Sequence, residues 1–193
     1  MPQPMIGPSE AVRWLVTASL LVVALVLQVT IFPPLVPDVV AHGVVPNFCL
    51  LVVVAAALVR GPEQAAVLGF VAGLLLDLVP PADHVAGRWA LALVVVGYVA
   101  GRLRPDTSPD LSTVEGFKPT AVAVVATVAA SSFVGTSVYA ISGLVLQDPV
   151  VSIGDLLPVI VAGVFWDVLM APLVMPVLMR VFTLLEPARA QPA

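Results

Sequence analysis

The stretch that decides the fold is "LGFVAGLLLDLVPP", residues 68–81. It is an apolar run with glycines at 69 and 73 and a single carboxylate, Asp77, at the next step of the same spacing. It lacks the period-two alternation that marks a membrane β-strand. An apolar run without alternation points to a helix, which satisfies its backbone groups within the segment. Residues four apart lie on one helical stripe that drifts by about 40° per step. Ala65, Gly69, Gly73 and Asp77 therefore share a face. Small residues at this spacing let a second helix approach closely. Gly97 and Gly101 repeat the device further on. Such stripes serve either packing between neighbouring spans of the chain or contact with a partner subunit.

The rest of the chain has the same character. Of its 193 residues 60% are hydrophobic and 10% charged, and the mean hydropathy is +1.10. A soluble globular domain carries about 25% charged residues, so the chain reads as an all-α membrane protein. The net charge of −4 is scattered, and no basic face suggests nucleic acid. Cys49 is the only cysteine, which rules out an intrachain disulfide and makes a thiol metal cluster implausible.

Six spans are expected, at 14–32, 44–59, 64–79, 85–103, 119–146 and 156–185, forming a single transmembrane domain over 14–185. Residues 1–13 and 186–193 read as disordered cytoplasmic tails. The first run is longer than the roughly 7–15 residues of a signal-peptide core, so it is read as a span that stays. The second and third spans, at 16 residues each, fall short of a core of about 30 Å. "RGPE" between them must then sit near the interface, or the pair forms a re-entrant hairpin. The sixth contains Pro158, Pro172 and Pro176, which remove backbone donors and favour kinks.

Orientation follows from the basic residues. With the N-terminus cytoplasmic, Arg13, Arg60, Arg102, Arg104, Lys118, Arg180 and Arg189 fall inside and only Arg88 outside, seven against one. Both termini are then cytoplasmic. The outer loops at 33–43, 80–84 and 147–155 contain Asp38, Asp83, Asp148 and Asp155.

Enzyme signatures are missing. His42 and His84 fall in outer loops, and no phosphate-binding Gly-Lys-Ser/Thr loop or H-E-x-x-H occurs. Ser131-Ser132 has no histidine near it in sequence. The reading is of no enzyme, cofactor or metal. Two carboxylates remain to be explained. Asp77 lies near the outer end of the third span, with Arg88 opening the next span on the same side. It is either solvated among headgroups, or locked in a pair or hydrogen bond across the third–fourth connection, or handling protons. The lock is the assignment adopted. Asp167 lies about 11 residues into the sixth span, near the midplane, where a charge facing lipid is disfavoured. It should face the bundle interior or stay protonated, either as a protonated aspartate bonded to a group freed by the break at Pro172 or making a functional contact. In the fifth span Thr127, Ser131, Gly135 and Tyr139, with Ser142 and Gly143, form a polar stripe that suits a helix contact better than a cavity wall.

The ordered set "VPNFCLLVVVAAALVRGPEQAAVLGFVAGLLLDLVPP", "GRWALALVVVGYVAGRL" and "GVFWDVLMAPLVMPVLMRV" resembles the rod shape-determining membrane proteins of the MreD family. The likeness lies in a Pro-x-Phe opening to the second span, the G-x-x-x-G-x-x-x-D third span and a Gly-x-x-Ala-Leu start to the fourth. A Tyr-x-x-Gly close to the fourth and an aspartate and proline in the last helix complete it. It covers roughly 46–104 and 163–181. The resemblance implies a non-enzymatic component of the peptidoglycan elongation machinery in the bacterial cytoplasmic membrane. Its partners would be MreC, the MreB filament system, RodA and a class B penicillin-binding transpeptidase. It also implies a six-helix bundle similar to the S component of energy-coupling-factor vitamin transporters, which supplies the rival function: a substrate-binding transport subunit. The Ala-x-x-x-Ala motif of those subunits is missing, because Ala18 is followed by Val22 and Ala24 by Gln28. Gly69, Gly73, Asp77, Gly97, Gly101, Asp167 and Pro172 are the residues expected to serve helix packing or partner contact.

Overall fold

In the computed structural model the described residues are 8–35, 44–80, 85–103, 120–147, 154 and 156–186. The His42 and His84 positions, Asp38, Asp83, Asp148, Asp155, the 104–118 loop and most of both tails lie outside them. The elements formed by the described residues are all helices, with no strand. Helix α1 is Glu10–Val26, continued by a π-helical turn at Leu27–Ile31 and a 3-10 turn at Pro33–Leu35. Helix α2 is Phe48–Arg60, α3 Pro62–Leu78, α4 Arg88–Arg102, α5 Ala121–Val145 and α6 Leu156–Leu185. Three of these, Glu10–Ile31, α5 and α6, are long and apolar enough to cross a membrane.

The helix starts follow local chemistry. The Ser9 hydroxyl accepts from the Val12 amide and the Thr120 hydroxyl from the Ala123 amide, the usual role of an N-cap side chain. Between α2 and α3 the whole connection is Gly61. It stands at φ +95°, ends one helix and starts the next, and is followed by Pro62 in the first turn. A side chain is rarely tolerated at that φ, so "RGPE" makes a corner within one residue.

Helix α2 is the axis of the bundle. Every residue from Phe48 to Leu58 is buried, and α2 touches each of the other five helices. A helix that is apolar all round must be enclosed. At about 1.5 Å per residue its 13 residues reach only about 20 Å. Residues 44–47 enter without helix, and Pro46 and Asn47 are already buried. Four extended residues add up to about 13 Å, so 44–60 can match a core of about 30 Å. Non-helical backbone at such depth is tolerated only inside protein, which is where this stretch lies.

The α3–α4 pair is an antiparallel hairpin with its glycines turned inward. A Cβ at Gly69 would fall on the Leu93 carbonyl, and one at Gly73 on the backbone of Trp89 and Ala90. A Cβ at Gly97 would meet the Ala65 carbonyl, and one at Gly101 the backbone at Pro62. The two stripes thus press backbone to backbone along the whole hairpin.

Helix α6 runs unbroken through Pro172 and Pro176. Both prolines are exposed, while Asp167, Ala171, Met175, Leu178 and Phe182 form the buried face. Pro172 therefore lies on the outer side of the helix, away from Asp167.

Candidate functional site

The two buried carboxylates occupy matching places. Asp77 is 1% exposed and Asp167 2%, and each accepts from the start of a short helix.

Asp77 closes the α3 stripe. Its Oδ2 accepts from the amides of Gly87 (2.9 Å) and Ala90 (3.1 Å), and its Oδ1 from Trp89 (3.1 Å). These donors are the N-cap, third and second positions of α4, which are among the amides a helix start leaves unsatisfied. Gly87 has no side chain and stands at φ +98°, so α4 has no side-chain cap of its own. Asp77 performs in trans what an N-cap residue and a capping-box glutamate together do in sequence. Its negative charge also suits the positive end of the helix dipole. The adjoining Arg88 is 2% exposed. Its Nη2 donates to the Tyr139 carbonyl at 2.8 Å, and its guanidinium lies 4.0 Å from the centre of the Tyr139 ring. Trp89 stacks on the same ring at 4.3 Å. The α4 start is thus fixed to α3 through Asp77 and to α5 through Tyr139.

Asp167 does the same for α2. Its Oδ1 accepts from the Asn47 amide at 2.6 Å and its Oδ2 from the Ser132 hydroxyl at 2.6 Å. The Asn47 side chain accepts from the Leu50 amide at 2.9 Å. Gln28, in the π-turn that ends α1, accepts from the Cys49 amide at 3.3 Å. The N-cap, second and third amides of α2 therefore receive oxygens from α6, α1 and Asn47 itself. Four of the six helices, α1, α2, α5 and α6, meet here. Asp167 stands 11 residues past Leu156, about 16 Å along α6. These amides have no water to turn to at such depth, and an unsatisfied buried donor costs about 1–3 kcal/mol.

The expectation that Asp167 bonds to a group freed by Pro172 is corrected by this geometry: its partners are Asn47 and Ser132. In the polar stripe of α5, Ser131 and Gly135 are buried, and a Cβ at Gly135 would meet Val96 of α4 and Leu50 of α2. That part of the stripe faces helices. Thr127 donates to the Ala123 carbonyl of its own helix.

Asn47, Ser132 and Gln28 were not singled out by sequence reasoning. Asn47 carried a usable signal, since an asparagine directly before an apolar run is an N-cap pattern. Gln28 and Ser132 carried none beyond being polar in an apolar span. No group of three or more metal-ligating side chains occurs among the described residues.

Long apolar helices around an enclosed short one, with intramembrane acids holding helix starts, define a helical membrane protein. A family model described as rod shape-determining protein MreD matches residues 9–182. The match covers nearly the whole chain, which therefore belongs to the MreD family of rod shape-determining membrane proteins. Comparisons with curated proteins and with solved structures returned no significant match.

Proposed function

We propose that the chain is a non-enzymatic component of the cell-elongation machinery that works by binding other membrane proteins. An MreC-like protein is the first partner. RodA-like and class B penicillin-binding proteins and the MreB system complete the assembly, through which peptidoglycan synthesis and cell shape are regulated. The chain would sit in the bacterial cytoplasmic membrane as six spans, in an arrangement similar to S components, with both termini inside. The orientation is supported by the ends of the bundle: Arg13, Arg60 and Arg102 stand at one, and Arg88 opens α4 at the other.

One observation carries the reading. Both intramembrane carboxylates are engaged by backbone amides of the chain's own short helices. An acid so engaged holds shape, whereas turnover or ion coupling needs it to exchange partners. The glycine stripes are likewise used in close helix packing, which leaves the exposed apolar sides of α1, α5 and α6 for lipid and for partners.

Co-expression with an MreC-like protein and purification in mild detergent tests the proposal. Stoichiometric co-purification is expected, together with no saturable binding of any vitamin-sized molecule by calorimetry. Saturable binding without co-purification would replace the scaffold by a transport subunit.

A further inference from the structure

A groove of about 460 Å³ lies between α1 and α3 at the arginine-rich end of the bundle. Its size falls within the roughly 300–1,000 Å³ of small-molecule sites. Trp14, Leu21, Val67 and Val71 line it with apolar surface, and Arg13 and Arg60 line it with charge.

Glu186 Oε1 accepts from both Arg60 Nε (3.0 Å) and Arg13 Nη2 (3.3 Å), so one carboxylate serves two guanidinium groups. The Arg60 side chain is only 9% exposed. Its Nη1 donates to Thr17 at 3.3 Å, and the Phe182 ring lies 4.8 Å from the guanidinium carbon. Its Nη2 is buried with no hydrogen-bond partner among the described residues, and so is Arg13 Nε. Two partnerless cationic donors on residues that line one groove call for an anionic oxygen acceptor, and arginine matches phosphate in geometry as well as charge. Glu10 and Glu63 line the groove as well and are exposed. Their negative charge penalises each anionic charge on a ligand, so a headgroup with a single phosphate charge is penalised least.

We propose that this groove holds a phospholipid of the adjacent leaflet, its single phosphodiester on Arg60 and Arg13 and an acyl chain along Trp14, Leu21, Val67 and Val71. The apolar wall is what separates a lipid from free phosphate, which has no use for it. The depth is right as well: Val71 lies eight residues beyond Glu63 on α3, about 12 Å further along the helix.

The test is native mass spectrometry of the full chain, released from detergent with added dioleoyl phosphatidylethanolamine, dioleoylglycerol or inorganic phosphate. The native chain should retain one phosphatidylethanolamine, and neither dioleoylglycerol nor inorganic phosphate. Arg60→Gln should weaken retention by at least about tenfold, the worth of one charge-assisted hydrogen bond. Because Arg60 is also held by Glu186, Thr17 and the Phe182 ring, two variants at more exposed positions carry the decision. Arg13→Gln removes one cation, and Val67→Trp fills the wall from a position that is 59% exposed. Both should fold and both should lose the lipid. Unchanged retention in both overturns the proposal. So does equal retention of dioleoylglycerol or phosphate by the native chain, or a polypeptide found in the groove in place of lipid.

Discussion

Replacing each buried aspartate by asparagine separates the two sites. Asparagine keeps the shape but offers one acceptor oxygen and one NH₂ donor. The Asp77 carboxylate accepts from three backbone amides, which donate and cannot accept. With the amide oxygen in the Oδ2 place, Gly87 and Ala90 are served and NH₂ faces the Trp89 N–H. With the amide flipped, two amides are lost. At least one acceptor disappears either way, at about 1–3 kcal/mol. At Asp167 the second partner is the Ser132 hydroxyl, which can rotate and accept. The Asn47 amide keeps its oxygen and Ser132 takes the NH₂, so both bonds survive. Asp77→Asn should therefore be the less stable variant by about 1–3 kcal/mol. At about 2–4 °C per kcal/mol for a chain of this size, the gap in Tm is about 2–12 °C. Thermal unfolding in detergent, followed by tryptophan fluorescence, reads it directly, since Trp89 lies at one site and Trp166 beside the other. Equal Tm values, or Asp167→Asn falling below Asp77→Asn, would refute the reasoning.

Two further outcomes follow from the same geometry. Gly69→Leu and Gly73→Leu place a side chain against backbone rather than against a movable side chain. Each should cost at least the roughly 1–3 kcal/mol typical of overpacking, read as lost monodisperse protein on size-exclusion chromatography; normal yields from both would mean the hairpin is not packed through its glycines. Cysteines at Leu103, at the end of α4, and at Gln147, just past α5, should label differently with an impermeant thiol reagent in intact cells. Only position 147 should react, because the proposed orientation puts 103 on the cytoplasmic side, and the native Cys49 is buried and adds no background; reaction at 103 alone would reverse the orientation.

Much of the architecture was legible in the sequence because composition and period carry it. The helix class follows from runs without alternation, and the α3 stripe from a spacing of four that ends at Asp77. What Asp77 binds was legible only as a lock between the third and fourth spans. Its partners are backbone amides, which have no residue type to read. The Asp167 cluster was less accessible still. Asn47, Gln28 and Ser132 are far from Asp167 in sequence, and only the fold brings them together. The short second span looked like a deficit in length. Residues 44–47 extend it without helix, with acceptors for the α2 start supplied by α6, α1 and Asn47 itself and with Ser132 of α5 donating to Asp167. The Arg60–Glu186 pair joins positions 126 apart, and neither residue stands out from an ordinary span end.

On the proposed function, the buried acids hold an assembly-competent shape and take no part in turnover. Asp167→Asn in a strain lacking the native chain tests it most directly, because the variant removes the titrating carboxyl and keeps both hydrogen bonds. At native protein levels, the variant should still co-purify with the MreC-like partner and the cells should remain rods. Round cells and a lost partner, with the variant folded and present at normal levels, would contradict it.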